Sequence, residues 1–405
     1  MSAYDELSAS NMRKVDLLLA ETRSNDGLAP VDLERFWADQ DRSIKDPFGA
    51  DIPQLPLGAL LTDECVFAEL GIEEDYYRYQ HDKPWALSLN RKYNDIAERI
   101  VGRRLLRETC PDPRLAYPAT MGLHDVFGAR RVWHGGASGS WWLEQAAQTP
   151  RDLEALLDRV DAVNVHDFIL PDNWHQEKTR LLAAGVKPPL YRQQRGPCTF
   201  ACSIFGAENT LLLCMDQPEL ARRFSATILR VILEIARVLD EEAGYSPQDA
   251  PGRWAWADDN CCLFSPELYE MFGYPIVKAV FERYCPNAAD TRYQHSDSPM
   301  GHLLGLMSKL DFNRVNFGPT LTVDQIRRHL PRAVIQGQLA PFTYSRNEHA
   351  NILAELLRDF EQAAEHRGLV FTTAGSINNG TRLTSMRLLM AGIQRYCRFD
   401  RASIG

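Results

Sequence analysis

The sequence predicts an α/β protein, a (β/α)8 TIM barrel preceded by an N-terminal helical extension. The first observation behind this prediction is that short β-type runs alternate with amphipathic helices from about residue 130 onward. The second is their number, because eight such runs fall within roughly 245 residues, which is the size of one such barrel. A doubly wound open sheet is the alternative. Its dinucleotide-binding form is disfavoured because no G-x-G-x-x-G motif follows the first predicted strand.

The residue composition excludes several classes of protein. The chain has 405 residues, of which 45% are hydrophobic, and its 45 Lys and Arg against 54 Asp and Glu give a net charge of −9. This hydrophobic fraction excludes a disordered or collagen-like chain, and a negative charge without a basic cluster argues against nucleic acid and anionic membranes as partners. No apolar run approaches the roughly 18 residues of a membrane span, and acids stand where a secretory signal carries basic and apolar residues. We therefore expect a cytoplasmic protein.

The first 120 residues differ in sequence pattern from the remainder of the chain. They alternate helical pieces, such as residues 91–108, with proline-rich loops, such as KDPFGADIPQLPLG at 45–58. No strand-turn-strand rhythm is present in this stretch. We therefore predict two domains, a helical N-terminal extension or cap over residues 1–120 and a barrel over residues 121–405.

The predicted strands and helices of the barrel follow one another in order. The eight strands are expected at residues 129–136, 161–170, 189–195, 253–260, 289–297, 313–319, 332–341 and 368–375. N-terminal capping patterns and first-turn prolines mark where the helices begin. These signals are Thr149-Pro150, Asp216-Gln217-Pro218-Glu219, Ser265-Pro266-Glu267, Thr322 with Gln325, and Ser345 with Glu348.

Polar or titratable residues end nearly every predicted strand. In a barrel of this kind the loops after the strands meet at one mouth, and the chemistry takes place there. We predict catalytic roles for Asp258, His295 and Asp297 from this position. We predict substrate-binding roles for His134, His166, Arg195, Asn316, Gln338 and Ser376.

The most informative of these residues form the sequence His295-Ser296-Asp297. Side chains two apart on an extended segment point the same way, so this imidazole and this carboxylate are expected side by side. Such a pair suits a divalent metal such as Zn²⁺ or Fe²⁺, and it equally suits an aspartate that orients a catalytic imidazole. Of the adjacent Asp258 and Asp259, only one is expected to face the mouth.

Three blocks of the second half resemble the uroporphyrinogen decarboxylase superfamily over about residues 125–397. The blocks are WADDNCCLFSPELYEMFGYPIVKAVFERY, RVNFGPTLTVDQIRRHLPRAVIQGQLAP and FTTAGSINNGTRLTSMRLLM, with the H-x-D motif between the first two. That superfamily includes tetrapyrrole decarboxylases and corrinoid-linked methyltransferases of methanol, methylamine and aryl methyl ether metabolism. The resemblance implies a (β/α)8 barrel, one-carbon transfer, and a corrinoid protein as partner.

The sequence also departs from the patterns of that superfamily. Its methyltransferase branch holds zinc with a His-x-Cys after the fifth strand and a Cys after the eighth, where this chain has His295-x-Asp297 and Ser376. None of the nine cysteines stands at those positions, and with no C-x-x-C we expect them to be buried thiols. Metal binding through His295, Asp297 and a third ligand stays open. The Arg-rich N-terminal signature of the tetrapyrrole decarboxylases is missing, which argues against a role in haem synthesis.

Three functions follow as alternatives. The first is demethylation of a small methylated or methoxylated substrate onto a corrinoid carried by a partner protein. The second is a decarboxylase or lyase, metal-assisted or metal-independent, in which Arg195 holds a carboxylate while Asp258 or His295 transfers the proton. The third is a tetrapyrrole- or corrinoid-binding protein without catalysis. The expected partners are a small-molecule substrate, a corrinoid protein and, as a candidate, a second copy of the chain in a homodimer.

Overall fold

The computed structural model describes residues 2–58, 63–189, 192, 194–246 and 249–400. Contacts within the chain group it into two compact units. Unit 1 combines Met1–Thr109 with Asn313–Gly405, and unit 2 is Cys110–Phe312. The division into an extension over residues 1–120 and a barrel over residues 121–405 stays a prediction.

The N-terminal part of unit 1 is helical, as the sequence pattern predicts. Its helices begin at side-chain caps such as Ser8, Asp32 and Asp82, each of which accepts a hydrogen bond from a backbone N–H. The helix predicted near residues 91–108 ends earlier, because Gly102 adopts a left-handed conformation with a φ of 79°. The helices are α1 (Ala9–Ser24), α2 (Leu33–Ser43), α3 (Val66–Leu70), α4 (Tyr76–His81) and α5 (Lys83–Val101).

Unit 2 combines helices with two pairs of strands. Its elements in chain order are α6 (Leu123–Val126), β1 (Arg131–His134), β2 (Ser140–Leu143), α7 (Pro150–Asp161), α8 (Val165–Ile169), α9 (Trp174–Ala183), α10 (Pro197–Phe205), α11 (Ala207–Asp216), α12 (Pro218–Glu242), β3 (Arg253–Ala257), α13 (Pro266–Tyr284), β4 (Thr291–Ser296) and α14 (Leu304–Met307). β1 and β2 form an antiparallel hairpin, whereas β3 and β4 run parallel with Ala257 opposite His295.

The C-terminal part of unit 1 carries three parallel strands in the order β5–β6–β7. Part of the proline-rich stretch lies beside β7, because Gly58 N–H donates to the Phe371 carbonyl at 2.7 Å and Phe371 N–H to the Pro56 carbonyl at 2.8 Å. The elements are β5 (Arg314–Phe317), α15 (Val323–His329), β6 (Val334–Leu339), α16 (Pro341–Ser345), α17 (His349–Ala363), β7 (Leu369–Thr373) and α18 (Leu383–Tyr396).

Five of the eight predicted strands are confirmed as parallel strands, namely the last five along the chain. The first predicted strand forms β1 but pairs antiparallel with β2, because Gly135 and Gly136 turn the chain with φ values of 96° and 63°. The prediction of a strand at 161–170 is wrong. Residues 165–169 of that segment form the helix α8, and its buried Val165 and Ile169 stand four residues apart, which is helical spacing. Residues 190, 191 and 193 of the third predicted strand lie outside the described residues.

Most of the predicted helix starts are confirmed. Thr149, Ser265 and Thr322 each cap their helix with the side chain. The capping box at Asp216 is wrong, since Asp216 is the last residue of α11 and α12 begins at Pro218 without a side-chain cap. At the last site Ser345 ends α16, so Glu348 rather than Ser345 precedes α17.

The structure therefore shows a mixed α/β fold with parallel strands and many helices. Closure into an eight-stranded barrel stays a prediction. Within the described residues no single helix is long and apolar enough to cross a membrane, while α10 and α11 together reach that length and composition but bend by 102° between them.

A buried carboxyl group in unit 1 fixes the end of β6 against α17. Glu355 is 5% exposed, and its two oxygens accept hydrogen bonds from Ala340 N–H at 2.7 Å and from the Thr343 hydroxyl at 2.9 Å. Burial raises the pKa of Glu355 to about 7, against the lowering effect of these two hydrogen bonds. The folded protein therefore keeps a proton on Glu355 at pH values where the unfolded chain has lost it.

We expect Glu355→Gln to make stability less dependent on pH. The pKa is raised in the folded state, so the wild-type free energy of unfolding falls as the pH rises from about 5 to about 7, where Glu355 ionises. A neutral amide does not ionise in this range. The free energy of unfolding of the variant, measured relative to wild type, should therefore rise by on the order of 2–3 kcal/mol between pH 5 and pH 8. Urea unfolding at both pH values measures this difference. Glu365→Gln, which replaces an exposed glutamate just after α17, is the control and should show no such rise. The prediction is contradicted if the stability of Glu355→Gln relative to wild type is the same at pH 5 and pH 8.

Candidate active site

The parallel pairing of β3 and β4 brings three potential ligands together. Ala257 lies opposite His295, and the N–H of Asp258 donates to the His295 carbonyl at 3.0 Å, so both strands end at the same level. The nitrogen and oxygen ligand atoms of Asp259, His295 and Asp297 lie within 4.8 Å of one another. We call these three residues the His/Asp cluster.

Hydrogen bonds hold the His/Asp cluster in place. The Nε2 of His295 lies 2.9 Å from Oδ1 of Asp297, and the backbone N–H of Asp297 donates to Oδ1 of Asp259 at 2.8 Å. The side chains of His295 and Asp297 are 25% and 43% exposed, so solvent or a ligand can reach them. The structure thus brings together the two residues of the H-x-D motif and adds Asp259.

The donor chemistry of the cluster fits a divalent ion bound through oxygen and nitrogen. Two carboxylates and one imidazole are ligands that Zn²⁺, Fe²⁺ and Mn²⁺ accept, and three protein ligands leave coordination positions for water or substrate. A thiolate-rich zinc site does not fit. Cys261, two residues beyond Asp259, is buried, and burial raises its thiol pKa well above the ordinary value. The same geometry also suits acid–base chemistry, with Asp297 orienting the His295 imidazole.

Asp258 has a position different from that of its neighbour Asp259. It is fully buried, and its Oδ1 accepts a hydrogen bond from the Thr199 N–H at 2.7 Å, at the start of α10. Burial raises the pKa of Asp258 to about 6. The approach is so close that a Cβ on Gly196 would come within 2.1 Å of the Asp258 Cβ, which only glycine avoids. Asp258 therefore ties the end of β3 to α10, and Asp259 is the aspartate that joins the cluster.

A cavity of about 810 Å³ in unit 2 includes His295 in its wall. Arg195, predicted from its strand-end position, also lines it. The polar lining side chains that were not identified from the sequence include His124, Asp125, Arg131 and Tyr293. Because His295 belongs to both the cavity wall and the His/Asp cluster, a molecule in the cavity can reach the cluster.

His124 is a second histidine of the cavity wall. Burial lowers the pKa of its imidazole, so the ring is uncharged at neutral pH and can accept a proton. Its Nε2 lies 3.5 Å from Oδ2 of Asp125, which also accepts the Gly122 N–H at 2.7 Å. In the sequence, His124 is marked only by the Asp125 that follows it. His166 is also followed by an aspartate, Asp167, but does not line the cavity, so this dipeptide could not have identified His124.

The other predicted residues of unit 2 lie away from the cavity. His134 is exposed at the end of β1, where it pairs with Ser140 of β2. His166 lies in the short helix α8, and its Nδ1 is 2.9 Å from Oδ1 of Asp167. Neither histidine lines the cavity that contains His295.

The predicted residues of unit 1 have other surroundings. The Asn316 amide donates to the carbonyls of Gln336 at 2.6 Å and Thr373 at 2.9 Å, which connects its own strand with the two beyond it. The buried Gln338 amide donates to the carbonyls of Gly318 and Leu321. Ser376 is exposed after β7. The contacts of Asn316 and Gln338 hold backbone segments, and the substrate-binding roles of all three residues stay predictions.

Comparisons with known proteins agree with this fold. Residues 142–396 match the sequence profile of the uroporphyrinogen decarboxylase (URO-D) family. Among solved structures, a methyltransferase from Methanosarcina mazei superposes with a TM-score of 0.51 at 15% sequence identity, covering 84% of this chain and 93% of that chain. No curated protein sequence matches the chain. Identity this low makes the structural likeness one of fold alone, but the profile covers well over half of the chain, which therefore belongs to the uroporphyrinogen decarboxylase family.

Proposed function

We propose that the protein is an enzyme that takes a methyl group from a small methylated or methoxylated substrate and passes it to a corrinoid carried by a partner protein. The observation that carries this proposal is the His/Asp cluster, whose imidazole is also part of the wall of a cavity large enough for a small molecule. Membership of the uroporphyrinogen decarboxylase family supports methyl transfer or decarboxylation as the type of reaction. We consider a methyl group bound to oxygen, because an imidazole or a bound cation can assist an oxygen leaving group.

The residues of the site act on the oxygen that the methyl group leaves. When a methyl–oxygen bond breaks towards a nucleophilic acceptor, both bonding electrons stay on the oxygen, which then needs a proton or a positive charge. His295 stands in the cavity wall with its Nε2 beside Asp297, and this carboxylate stabilises the protonated imidazole that would supply the proton. In the alternative arrangement, a divalent ion held by Asp259, His295 and Asp297 would supply a Lewis acid for the same oxygen, and the coordinated imidazole would then be unprotonated.

Decarboxylation is the second candidate, and two arginines favour it. Arg131 and Arg195 both line the cavity and can hold a carboxylate through paired N–H groups. His295 would then return a proton to the carbon that loses carbon dioxide. Release of carbon dioxide without any corrinoid distinguishes this reaction from methyl transfer.

We expect methyl transfer to depend on His295. Purified protein mixed with a panel of methoxylated and methylated substrates and a reduced corrinoid protein should produce the visible absorbance change of a methylated corrinoid. His295→Ala should lower this rate at least about 100-fold, the size typical of losing an acid–base group. His329→Ala, at an exposed position of α15, should leave the rate unchanged.

If no substrate gives a methylated corrinoid and carbon dioxide is released instead, decarboxylation replaces methyl transfer as the proposed function. Visible absorbance of the protein as purified, with no turnover of either kind, would instead indicate a binding protein.

We expect one divalent ion per chain, held by the His/Asp cluster. Elemental analysis after incubation with Zn²⁺, Fe²⁺ or Mn²⁺ and desalting should find this ion in the wild type. Asp297→Ala and Asp259→Ala should each lose it, since each removes one of three ligands. Asp172→Ala removes an exposed aspartate outside the cluster and should retain the ion. If the wild type itself holds no ion, acid–base chemistry by His295 is the remaining interpretation.

A further inference from the structure

The cavity contains two arginines without a carboxylate partner. Arg131 stands on β1, Arg195 precedes α10, and both line the cavity. Across the described part of the chain, neither guanidinium has an Asp or Glu oxygen within ion-pair distance. Arg130, the neighbour of Arg131, is paired with Glu144 at 2.6 Å. Arg131 and Arg195 can thus bind an anionic ligand, whereas Arg130 already has a counter-ion.

The charge of the cavity opposes that of the chain as a whole. Of the described residues that line it, Asp125 is the one with a carboxylate, and that group already accepts the Gly122 N–H. Burial and the charge of Arg131 both lower the pKa of His124, which leaves its imidazole uncharged at neutral pH. The whole chain carries a net charge of −9. Two guanidinium groups beside one carboxylate make the described wall of this cavity positive although the chain as a whole is acidic, and a positive cavity attracts anions.

Aromatic rings form much of the remaining wall. Trp141 and Trp142 come from β2, Trp256 from β3 and Tyr293 from β4. Trp142 is 60% exposed, and the Arg131 guanidinium lies 5.2 Å from the centre of the Trp141 ring. Exposed indole surface beside a guanidinium group offers a flat ligand apolar contact for its ring and charge-assisted hydrogen bonds for its carboxylate.

We propose that the substrate of this cavity is a planar aromatic carboxylate, which Arg131 and Arg195 hold by its carboxylate and the tryptophans hold by its ring. That the ligand is a substrate rests on the proposed function, whereas its chemical class rests on the arginines and the rings alone. The β1–β2 hairpin thereby determines specificity, since it supplies Arg131, Trp141 and Trp142. His295 lines the same cavity, so a ligand held there by its carboxylate can present another part to His295.

Three probe molecules separate the contribution of charge from that of the ring. The probes are 4-methoxybenzoate, the neutral 4-methoxybenzyl alcohol and the non-aromatic cyclohexanecarboxylate. Binding is measured by calorimetry and by quenching of tryptophan fluorescence, without corrinoid and without turnover. We expect 4-methoxybenzoate to bind at least about 10-fold more tightly than the alcohol, because hydrogen bonds to a charged group contribute that much to affinity. It should bind about 2- to 10-fold more tightly than cyclohexanecarboxylate, because ring stacking contributes less.

Variants assign the binding to named residues. Arg131→Gln and Arg195→Gln should each weaken 4-methoxybenzoate about 10- to 100-fold while changing the affinity for the alcohol little. Trp142→Leu should reduce both the fluorescence quenching and the preference over cyclohexanecarboxylate. Arg130→Gln, whose arginine is paired with Glu144, is the matched control and should bind like wild type.

The outcomes separate this inference from the proposed function. Equal affinity for acid and alcohol, or arginine variants that bind like wild type, would overturn it even if a neutral methyl ether is demethylated. Preferential binding of 4-methoxybenzoate that is lost in both arginine variants would support it even if no methyl group is transferred.

Discussion

The parallel pairing of β3 with β4 is the constraint on which the site depends. Placing Ala257 opposite His295 makes the two strands end together, so Asp259 after one strand meets His295 and Asp297 at the end of the other. A shift of this register by one residue would turn each of these side chains to the opposite face. Backbone hydrogen bonds in the sheet thus set the geometry of the His/Asp cluster.

The buried Asp258 reinforces that register. Its carboxylate accepts the Thr199 N–H at the start of α10, and the Thr199 hydroxyl in turn accepts the N–H of Asn260. Asp259 therefore lies between two residues that are both fastened to the same turn of α10. A buried carboxylate is costly unless hydrogen bonds compensate it, and the Thr199 N–H offsets part of that cost, while burial still raises the pKa of Asp258 to about 6. The absence of a side chain at Gly196 permits the close approach.

The cavity and the cluster have opposite electrostatic character. The cluster contains two carboxylates around one imidazole, whereas the described residues of the cavity wall carry two guanidinium groups and a single carboxylate. A cation and an anionic ligand can therefore occupy neighbouring positions without competing for the same side chains. This separation is what methyl transfer or decarboxylation requires, because both reactions need a fixed substrate and a separate group that handles charge or a proton.

The sequence by itself determined the local features of this protein. Period-two alternation placed His295 and Asp297 on the same side, apolar runs located five parallel strands, and Thr149, Ser265 and Thr322 marked helix starts, because each signal depends on neighbours within a few residues. Only the tertiary structure decided that Asp259 rather than Asp258 joins the cluster, since that choice depends on how closely α10 approaches β3. It also decided that residues 165–169 form a helix and that Arg131 shares a cavity with Arg195 and His295. These features depend on contacts between residues far apart in the chain. Local sequence patterns reflect only neighbours within a few positions and therefore cannot predict such contacts.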